Sequence, residues 1–277
     1  MEMMYGIEYS KPEVVLLQET GIGVAEAAAR TCYDSFENSE NDVIKNIEDV
    51  MPNKEMCYKI NAIEDSALLD DLAWTYFHHS ILEHANLSFL VRGTSRGVLQ
   101  EHARHRIQAI SVRSTRYTMS GVINAFVASL HGGDKEFFIE KVFEFDMFVT
   151  TNKEYNTIEI GAMYDKLLYQ SKIVEDFYSI AVAKSSLELL KKYPNDASAL
   201  FEALQEGKKK RNVGDAFKHI ISDNVKVDMV VTFNLRSLKN YFTLRDSGAA
   251  FFQIRWLAQE MIHVTPQKYL DLIIKKK

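Results

Sequence analysis

Two stretches of alternating apolar and polar residues lie far apart in this chain, and long segments between them repeat with helical spacing instead. In "ANLSFLVRG" (85–93), Leu87, Phe89 and Val91 share one face, and "VKVDMVVTF" (225–233) alternates in the same way. A period of two is typical of a strand with one buried face. Because helical stretches separate the strands, the pattern predicts an α/β protein of the α+β type. Its mixed sheet would be flanked by long helices rather than built from alternating βαβ units.

Helical spacing dominates from Asp134 to Tyr193. The sequence therefore predicts a helical portion at about 134–210 inside a single domain of residues 1–277. The basic run "KKKR" (208–211) near its end is interpreted as a solvated turn, because a short charge run needs no ligand to be stable in water.

The stretch "PEVVLLQETGIGVAEAAARTCY" near the start predicts a strand, a turn and a helix from about Val24. Gly21 and Gly23 suggest a dinucleotide-binding fingerprint. Glu26, however, occupies the position of its third glycine. We therefore interpret the two glycines as part of a turn.

Composition excludes several classes of function. A net charge of -5 argues against a nucleic-acid-binding protein, which usually carries a basic excess. Cys32 and Cys57 give neither a disulfide framework nor a metal-ligand spacing. The sequence shows no run of about 18 apolar residues and no secretory signal, so we expect a cytoplasmic protein that binds neither membrane nor nucleic acid.

The segment "EHARHRIQAISVRSTRY" (101–117) concentrates positive charge in this acidic chain, with four arginines and Glu101 as its one carboxylate. Five histidines between positions 78 and 105 raise the possibility of a metal site, but the adjoining arginines would oppose a divalent cation. A solvated helix face is a second interpretation, weakened by the repulsion between like charges. An anionic ligand is the third and favoured one, since arginine forks and nearby hydroxyls bind phosphate. Phosphorylated small molecules fit best, and no metal is expected.

Three blocks of sequence together carry a resemblance to a known family. "RHRIQAISVRS" (104–114) matches the R-H-R-x7-S motif of flavin-dependent thymidylate synthases, the ThyX family. "HHSILEHANLSF" (78–89) resembles the family's E-H-a-x-x-x-F stretch. "NLRSLKNYFTLR" (234–245) resembles its N-x-R-S-L-x-N-F-x-x-L-R block. The order and spacing agree, and the resemblance covers most of the chain.

The resemblance implies a ThyX-like fold and an enzyme that converts dUMP to dTMP. FAD would be the cofactor, methylene-tetrahydrofolate the carbon donor and NADPH the reductant, in a homotetramer with shared active sites. The cofactor carries the chemistry, and the protein supplies placement and electrostatics. Neither Cys32 nor Cys57 has the Pro-Cys-His context of the thiol-dependent class of thymidylate synthase, which agrees with the flavin route.

The resemblance also assigns site residues by position. Arg245 would grip the uracil ring, and Arg245 and Ser114 would be the catalytic residues. Residues implied to bind cofactor are His78, Ser80, Glu83, Arg104, His105, Arg106, Ile107, Asn234, Arg236 and Asn240. Those implied to bind nucleotide are Glu101, Arg113, Ser114, Thr115, Arg116, Lys218 and Arg245. The apolar residues between the arginines are expected to turn back into the domain.

The chain departs from the family pattern at several positions. Lys218 stands where a second nucleotide-binding arginine is expected, and lysine lacks the bidentate fork. Ala109 and Val112 replace Ser and Glu, and Phe251 and Gln253 replace Gln and Glu. These changes concern the nucleotide end of the site, so two alternatives stay open. One is an enzyme that methylates or hydroxymethylates another pyrimidine nucleotide such as UMP, and the other is an inactive flavin- or nucleotide-binding homologue.

Overall fold

The computed structural model describes residues 1–47, 54–207 and 213–275. Within these ranges the strands are β1 (Glu2–Met4), β2 (Ile7–Tyr9), β3 (Glu13–Glu19), β4 (Asn86–Ser95), β5 (Ala109–Val112) and β6 (Lys226–Asn234). The basic run at 208–211, interpreted above as a solvated turn, lies outside the described residues.

The helices of the first part of the chain are α1 (Gly23–Tyr33), α2 (Asp42–Lys45), α3 (Lys54–Asn61), α4 (Ala67–Trp74), α5 (Arg96–His102), α6 (Thr115–Thr118), α7 (Ser120–Ser129) and α8 (Lys135–Phe143). Those that follow are α9 (Lys153–Ile173), α10 (Phe177–Ala181), α11 (Leu187–Lys192), α12 (Ala197–Glu206), α13 (Val213–Ala216), α14 (Leu235–Arg245), α15 (Phe252–Val264) and α16 (Gln267–Ile273). Short 3-10 turns cover Phe36–Asn38, His79–His84, Lys184–Ser186 and Lys218–Ile220.

The described chain divides into two compact units, each assembled from separate stretches of sequence. The sheet unit contains residues 11–94, 98–112 and 227–277, and the helical unit contains residues 1–10, 95–97 and 113–226. The expectation that they form a single domain stays a prediction. No helix among the described residues is long and apolar enough to cross a membrane.

A four-stranded sheet in the order β3-β4-β6-β5 organises the sheet unit. The pairs β3–β4 and β5–β6 are antiparallel. Contacts between β4 and β6 also run in opposite directions along the two strands, from Ser88 to Thr232 and from Gly93 to Asp228. The sheet is therefore antiparallel, where the sequence predicted mixed directions. The α+β class itself is confirmed.

One face of this sheet is fully buried, as the period of two predicted. Leu87, Phe89 and Val91 of β4 have no exposed surface, and the same holds for Val231 and Phe233 of β6. Burial of such side chains contributes roughly 1.5–3 kcal/mol each to folding. The inner face of α14 packs on the same core and so fixes which residues of the helix face outward.

Aromatic packing organises the helical unit around α7. Phe126 of α7 meets the rings of Phe138, Tyr164 and Phe177 at centroid distances of 6.1, 5.4 and 5.8 Å. These edge-to-face pairs add directional packing to the burial of apolar area. The helical spacing from Asp134 onward is confirmed, since α8 to α11 occupy that stretch.

Candidate functional site

A cavity of about 930 Å³ opens in the sheet unit beside α14. Its walls come from the 3-10 turn after α4, the link between α5 and β5, and helix α14 with the loop that follows it. The lining residues are Glu83, Arg104, His105, Arg106, Ile107, Arg236, Ser237, Asn240, Leu244, Arg245, Ser247, Ala249 and Ala250. All of them belong to the sheet unit.

Positive charge predominates in this lining. Arg104, Arg106, Arg236 and Arg245 face the cavity, and Glu83 is the carboxylate among the residues that line it. Glu83 pairs with Arg236 at 2.5 Å, and both side chains are about half exposed. The remaining excess of cations favours an anionic ligand with several acceptor oxygens.

The guanidinium of Arg245, at the end of α14, is held at three points. Its Nε donates to Nε2 of His105 at 2.8 Å. Nη1 donates to a carboxylate oxygen of Glu101 at 3.1 Å, and Nη2 donates to the Glu101 backbone carbonyl at 3.2 Å. The side chain of Arg245 is only 15% exposed, so these bonds fix the orientation of the guanidinium plane.

His105 is uncharged at neutral pH because of its surroundings. Burial, together with the nearby Arg245 and Arg104, lowers the pKa of His105 to about 4. Since its Nε2 accepts a hydrogen bond from Arg245, the neutral ring carries its proton on Nδ1. The cavity therefore keeps a neutral imidazole between two arginines.

The buried residues Tyr241 and His102 lie next to His105 and contact each other. The ring of Tyr241 packs against the ring of His105 with centroids 4.7 Å apart. The hydroxyl of Tyr241 lies 3.0 Å from Nδ1 of His102, and neither residue is exposed. Burial lowers the pKa of His102 to about 4 and raises the pKa of Tyr241. The hydroxyl is therefore the donor and the neutral imidazole the acceptor.

Local backbone contacts place the two walls of the cavity. The side-chain amide of Gln108 donates to the carbonyls of His102 and His105 at 3.1 and 2.7 Å, and this closes the link between α5 and β5. Asn234 caps α14 by accepting from the backbone N–H of Ser237 at 2.8 Å. The cap fixes the start of the helix, and hence the direction of the side chains in its first turns.

Many of the residues that the sequence predicted to bind cofactor do come together. Those that line the cavity are Glu83, Arg104, His105, Arg106, Ile107, Arg236 and Asn240. Arg245, which was predicted to bind nucleotide and to be catalytic, lines it as well. Glu101 joins them through its contacts with Arg245. Asn234 acts as the helix cap, and His78 and Ser80 are exposed beside the cavity lining rather than part of it. Their functional roles stay predictions.

The other predicted nucleotide-binding residues belong to the helical unit. Ser114 caps α6 by accepting from the backbone N–H of Arg116 at 3.3 Å, and Thr115 is buried. Arg116 pairs with Asp215 at 3.0 Å. Lys218 is exposed in its 3-10 turn, and Arg113 is exposed at the end of β5. Their role with nucleotide also stays a prediction.

Five lining residues were missed by sequence reasoning: Ser237, Leu244, Ser247, Ala249 and Ala250. A signal existed for the first two, because positions 236, 237, 240 and 244 share one face of a helix. The last three are small residues without distinctive chemistry.

The apolar residues between the arginines do not all turn inward as expected. Ile107 is 69% exposed and Ile110 is 37% exposed. Ala109 is exposed as well, and only Val112 packs partly on the core. The physical reason is that, in the described part of the chain, residues 109–112 form an edge strand that pairs with β6 on one side only, so it is covered less than a central strand.

Comparison with known proteins gives the same assignment along nearly the whole chain. The model of the thymidylate synthase complementing protein family matches residues 15–268. The chain belongs to this family. The flavin-dependent thymidylate synthase of Campylobacter jejuni is 27% identical over 257 residues, which cover 93% of each chain. That of Wolinella succinogenes is 28% identical over 256 residues, covering 92% of this chain and 94% of the relative.

A solved structure shares the fold. The crystal structure of the flavin-dependent thymidylate synthase ThyX from Helicobacter pylori, complexed with FAD and dUMP, superposes with a TM-score of 0.58. It is 24% identical in sequence, and the match covers 95% of this chain and 98% of the Helicobacter chain. The resemblance found in the sequence is thereby confirmed, and the chain is a flavin-dependent thymidylate synthase with a ThyX-like fold. Among the described residues, no group of three or more His, Cys, Asp or Glu side chains could hold a metal ion.

The two low histidine pKa values predict a pH dependence of stability. An unfolded histidine takes up its proton near pH 6.5, whereas His102 and His105 in the fold take theirs up near pH 4. The unfolded state thus binds more protons between these values, so the free energy of unfolding falls as the pH drops from 6.5 to 4. Each histidine adds a slope of up to about 1.4 kcal/mol per pH unit.

Urea unfolding at several pH values measures this slope. His105→Gln removes one titrating group and keeps an acceptor for Arg245, so we expect a shallower slope than in the wild type. Carboxylates also titrate at the lower end of this range, and the comparison between variant and wild type cancels their contribution. Equal slopes would mean that His105 titrates normally in the folded protein.

Proposed function

We propose that the chain converts dUMP to dTMP, with FAD in the cavity beside α14, methylene-tetrahydrofolate as carbon donor and NADPH as reductant. The observation that carries the proposal is the joining of eight family-type flavin and nucleotide residues around one cationic cavity of about 930 Å³. The Helicobacter structure with FAD and dUMP supports the same pair of ligands.

The lining suits a flavin dinucleotide in its charge and in its apolar contacts. Arg104, Arg106 and Arg236 would meet the two phosphates, and the Asn240 amide offers both a donor and an acceptor to a polar ring edge. Ile107 and Leu244 supply apolar contact for a planar ring. The bound flavin would supply redox chemistry that no amino-acid side chain offers.

Arg245 would stabilise charge on the pyrimidine. Because His105 and Glu101 hold its guanidinium in place, the cation needs no reorganisation when negative charge develops at the carbonyl edge of the uracil ring. Ser114 would be the second catalytic residue. Arg113, Thr115, Arg116 and Lys218 would hold the nucleotide phosphate and sugar.

The assembly would be a cytoplasmic homotetramer with shared active sites. Exposed apolar side chains support this proposal, and Ile110 on the edge strand β5 is one of them. Covering them with a second copy of the chain would remove apolar surface from water.

Sedimentation velocity tests the assembly. We expect a species of four times 31.8 kDa at micromolar concentration. A species at the mass of one chain would contradict the shared site.

Arg106→Ala should weaken flavin retention, because it removes one of the cations that face the dinucleotide phosphates. Hydrogen bonds to charged groups contribute about 1.5–3 kcal/mol, so we expect the Kd for FAD to rise roughly 10- to 100-fold. Flavin content after purification and a titration of the apoprotein measure the change. Arg92→Ala removes an exposed arginine of β4 outside the lining and should leave FAD affinity as in the wild type. Equal losses in both variants would contradict a specific role for Arg106.

Arg245→Ala should lower turnover strongly while leaving FAD bound, because the residue is assigned to the pyrimidine rather than to the cofactor. The loss of one preorganised charge at a developing anion costs on the order of 100- to 1000-fold in kcat. Arg245→Lys keeps the charge without the planar fork and should recover only part of the rate.

Tritium release from dUMP labelled at C5 reports this chemistry directly. Release should require FAD, NADPH and methylene-tetrahydrofolate together, and a parallel reaction with labelled UMP tests the nucleotide. Retained release in Arg245→Ala would remove the role proposed for Arg245. Release from UMP alone would assign the enzyme to another pyrimidine nucleotide.

A further inference from the structure

A lysine amine that the proposed reaction does not use lies in a second cavity, on another face of α14 within the sheet unit. This cavity has a volume of about 280 Å³, and none of its lining residues lines the larger cavity. Its walls come from α4, α14, α15 and the end of α16. The lining residues are Trp74, Lys239, Phe242, Thr243, Asp246, Ile262, Ile273, Ile274 and Lys275.

Lys239 places its amine in this cavity without a counter-ion. The side chain is partly buried, and in the described part of the chain no carboxylate oxygen lies within 4 Å of its Nζ. The ring of Trp74 faces the amine, with its centroid 3.8 Å from Nζ, and a ring face attracts an ammonium ion. Burial nevertheless lowers the pKa of Lys239. The desolvation of the charged form therefore outweighs the attraction of the ring.

The ring of His79 gives an independent, geometric reason for an uncharged amine. Its Nε2 lies 3.0 Å from the backbone carbonyl of Ala73 and 3.1 Å from Nζ of Lys239. Because a carbonyl oxygen can only accept, Nε2 carries a hydrogen and cannot accept from an ammonium group. A neutral amine has a lone pair and accepts from that N–H. The contact therefore favours the neutral form of Lys239, which is the nucleophilic form.

The charged groups that share the cavity do not reach the amine. Asp246, at the end of α14, accepts through Oδ1 from the side-chain amide of Gln259 at 3.1 Å. Lys275, which follows α16, is exposed and has the same charge as an ammonium group at Lys239. Burial and the contact with His79 therefore determine the state of the Lys239 amine, rather than an ion pair.

The cavity discriminates among the products that a lysine amine can form. An imine with an aldehyde is readily protonated and would keep the positive charge. A carbamate formed with CO2 would place an anion in a wall that already contains Asp246. An amide is uncharged, so its formation would remove the desolvation cost of the lysine. Phe242, Ile262 and Ile273 supply apolar surface for a chain carried by that amide.

We propose that Lys239 is an acylation site, at which the neutral amine takes a short aliphatic acyl group from a thioester. The nitrogen lone pair attacks the carbonyl carbon of the thioester and forms the C–N bond. The C–S bond breaks, and the thiol leaves with the proton that the nitrogen loses, so no oxidant or reductant is needed. A cavity of about 280 Å³ is smaller than those that enclose drug-sized ligands, and it suits a chain of a few carbons. The inference is independent of the proposed function, because none of these residues is assigned to flavin or nucleotide.

Reaction of the FAD-loaded enzyme with butyryl-coenzyme A, followed by mass spectrometry of its peptides, tests the site. We expect the initial rate of acylation at Lys239 to exceed that at Lys166, an exposed lysine of α9, by about 10-fold or more, because a larger fraction of the Lys239 amine is neutral. After unfolding in urea, the two lysines should react at similar rates. A rate at Lys239 no higher than that at Lys166 in the folded enzyme would overturn the proposal.

A carboxylate introduced into the cavity provides the second measurement. Ile274→Asp should slow acylation of Lys239 by about 10-fold, since a negative charge nearby stabilises the ammonium form. Ile173→Asp, at the exposed end of α9, makes the same change outside the cavity and is the matched control. Both variants should retain the flavin content of the wild type, which shows that they fold. Equal acylation of Lys239 in the two variants would mean that the cavity does not control the amine, and the site would be withdrawn.

The length of the acyl chain tests the role of the apolar wall. The ratio of the rate at Lys239 to the rate at Lys166 should be higher with butyryl-coenzyme A than with acetyl-coenzyme A, because only the longer chain reaches along the wall. Equal ratios, or a preference for the acetyl group, would contradict the assignment of an aliphatic acyl chain to this cavity.

Discussion

The anchoring of Arg245 is the interaction on which the candidate site depends. Three hydrogen bonds join the last residue of α14 to Glu101 and His105, which lie more than 130 positions earlier in the chain. They tie together the two walls of the larger cavity, the α5–β5 link and the face of α14. Since all three partners are partly or largely shielded from water, each bond is stronger than a surface contact would be. The junction therefore fixes the direction in which the guanidinium of Arg245 faces the cavity.

The same junction explains how several cations coexist in a small volume. Glu101 accepts from Arg245 and also pairs with Arg104 at 3.3 Å, so one carboxylate offsets two guanidinium groups. His105 contributes no charge, because its pKa lies near 4. The positive charge that Glu101 does not offset faces the cavity. A bound dinucleotide would neutralise this charge, and its binding would stabilise the folded protein. Helix α14 thus presents a charged face to the cavity through Arg236 and Arg245.

Much of the candidate site could be predicted from the sequence, because many of its charged residues lie in short segments that stand out by composition or by family motif. Four arginines with one carboxylate favoured an anionic ligand, and the family resemblance assigned Arg236 and Asn240 to the flavin. What escaped prediction has weak local signals. Residues 109–112 form a strand only because β6 offers an edge to pair with, and no pattern within four residues shows this. The bracing role of Gln108 depends on two carbonyls that come together only in the folded link. Strand directions were likewise beyond the sequence, since alternation is the same in parallel and antiparallel pairs.

The buried contact between Tyr241 and His102 makes two positions of the chain depend on each other. Tyr241 stands where the quoted family block has phenylalanine, and its hydroxyl lies in the interior of the sheet unit beneath the candidate site. A buried phenol is tolerated here because its hydroxyl donates a hydrogen bond to the imidazole of His102. Changing either residue alone leaves a polar atom without its partner, which costs about 1–3 kcal/mol. A substitution at one of these positions therefore calls for a matching change at the other, and a transfer of this site into a relative has to include both.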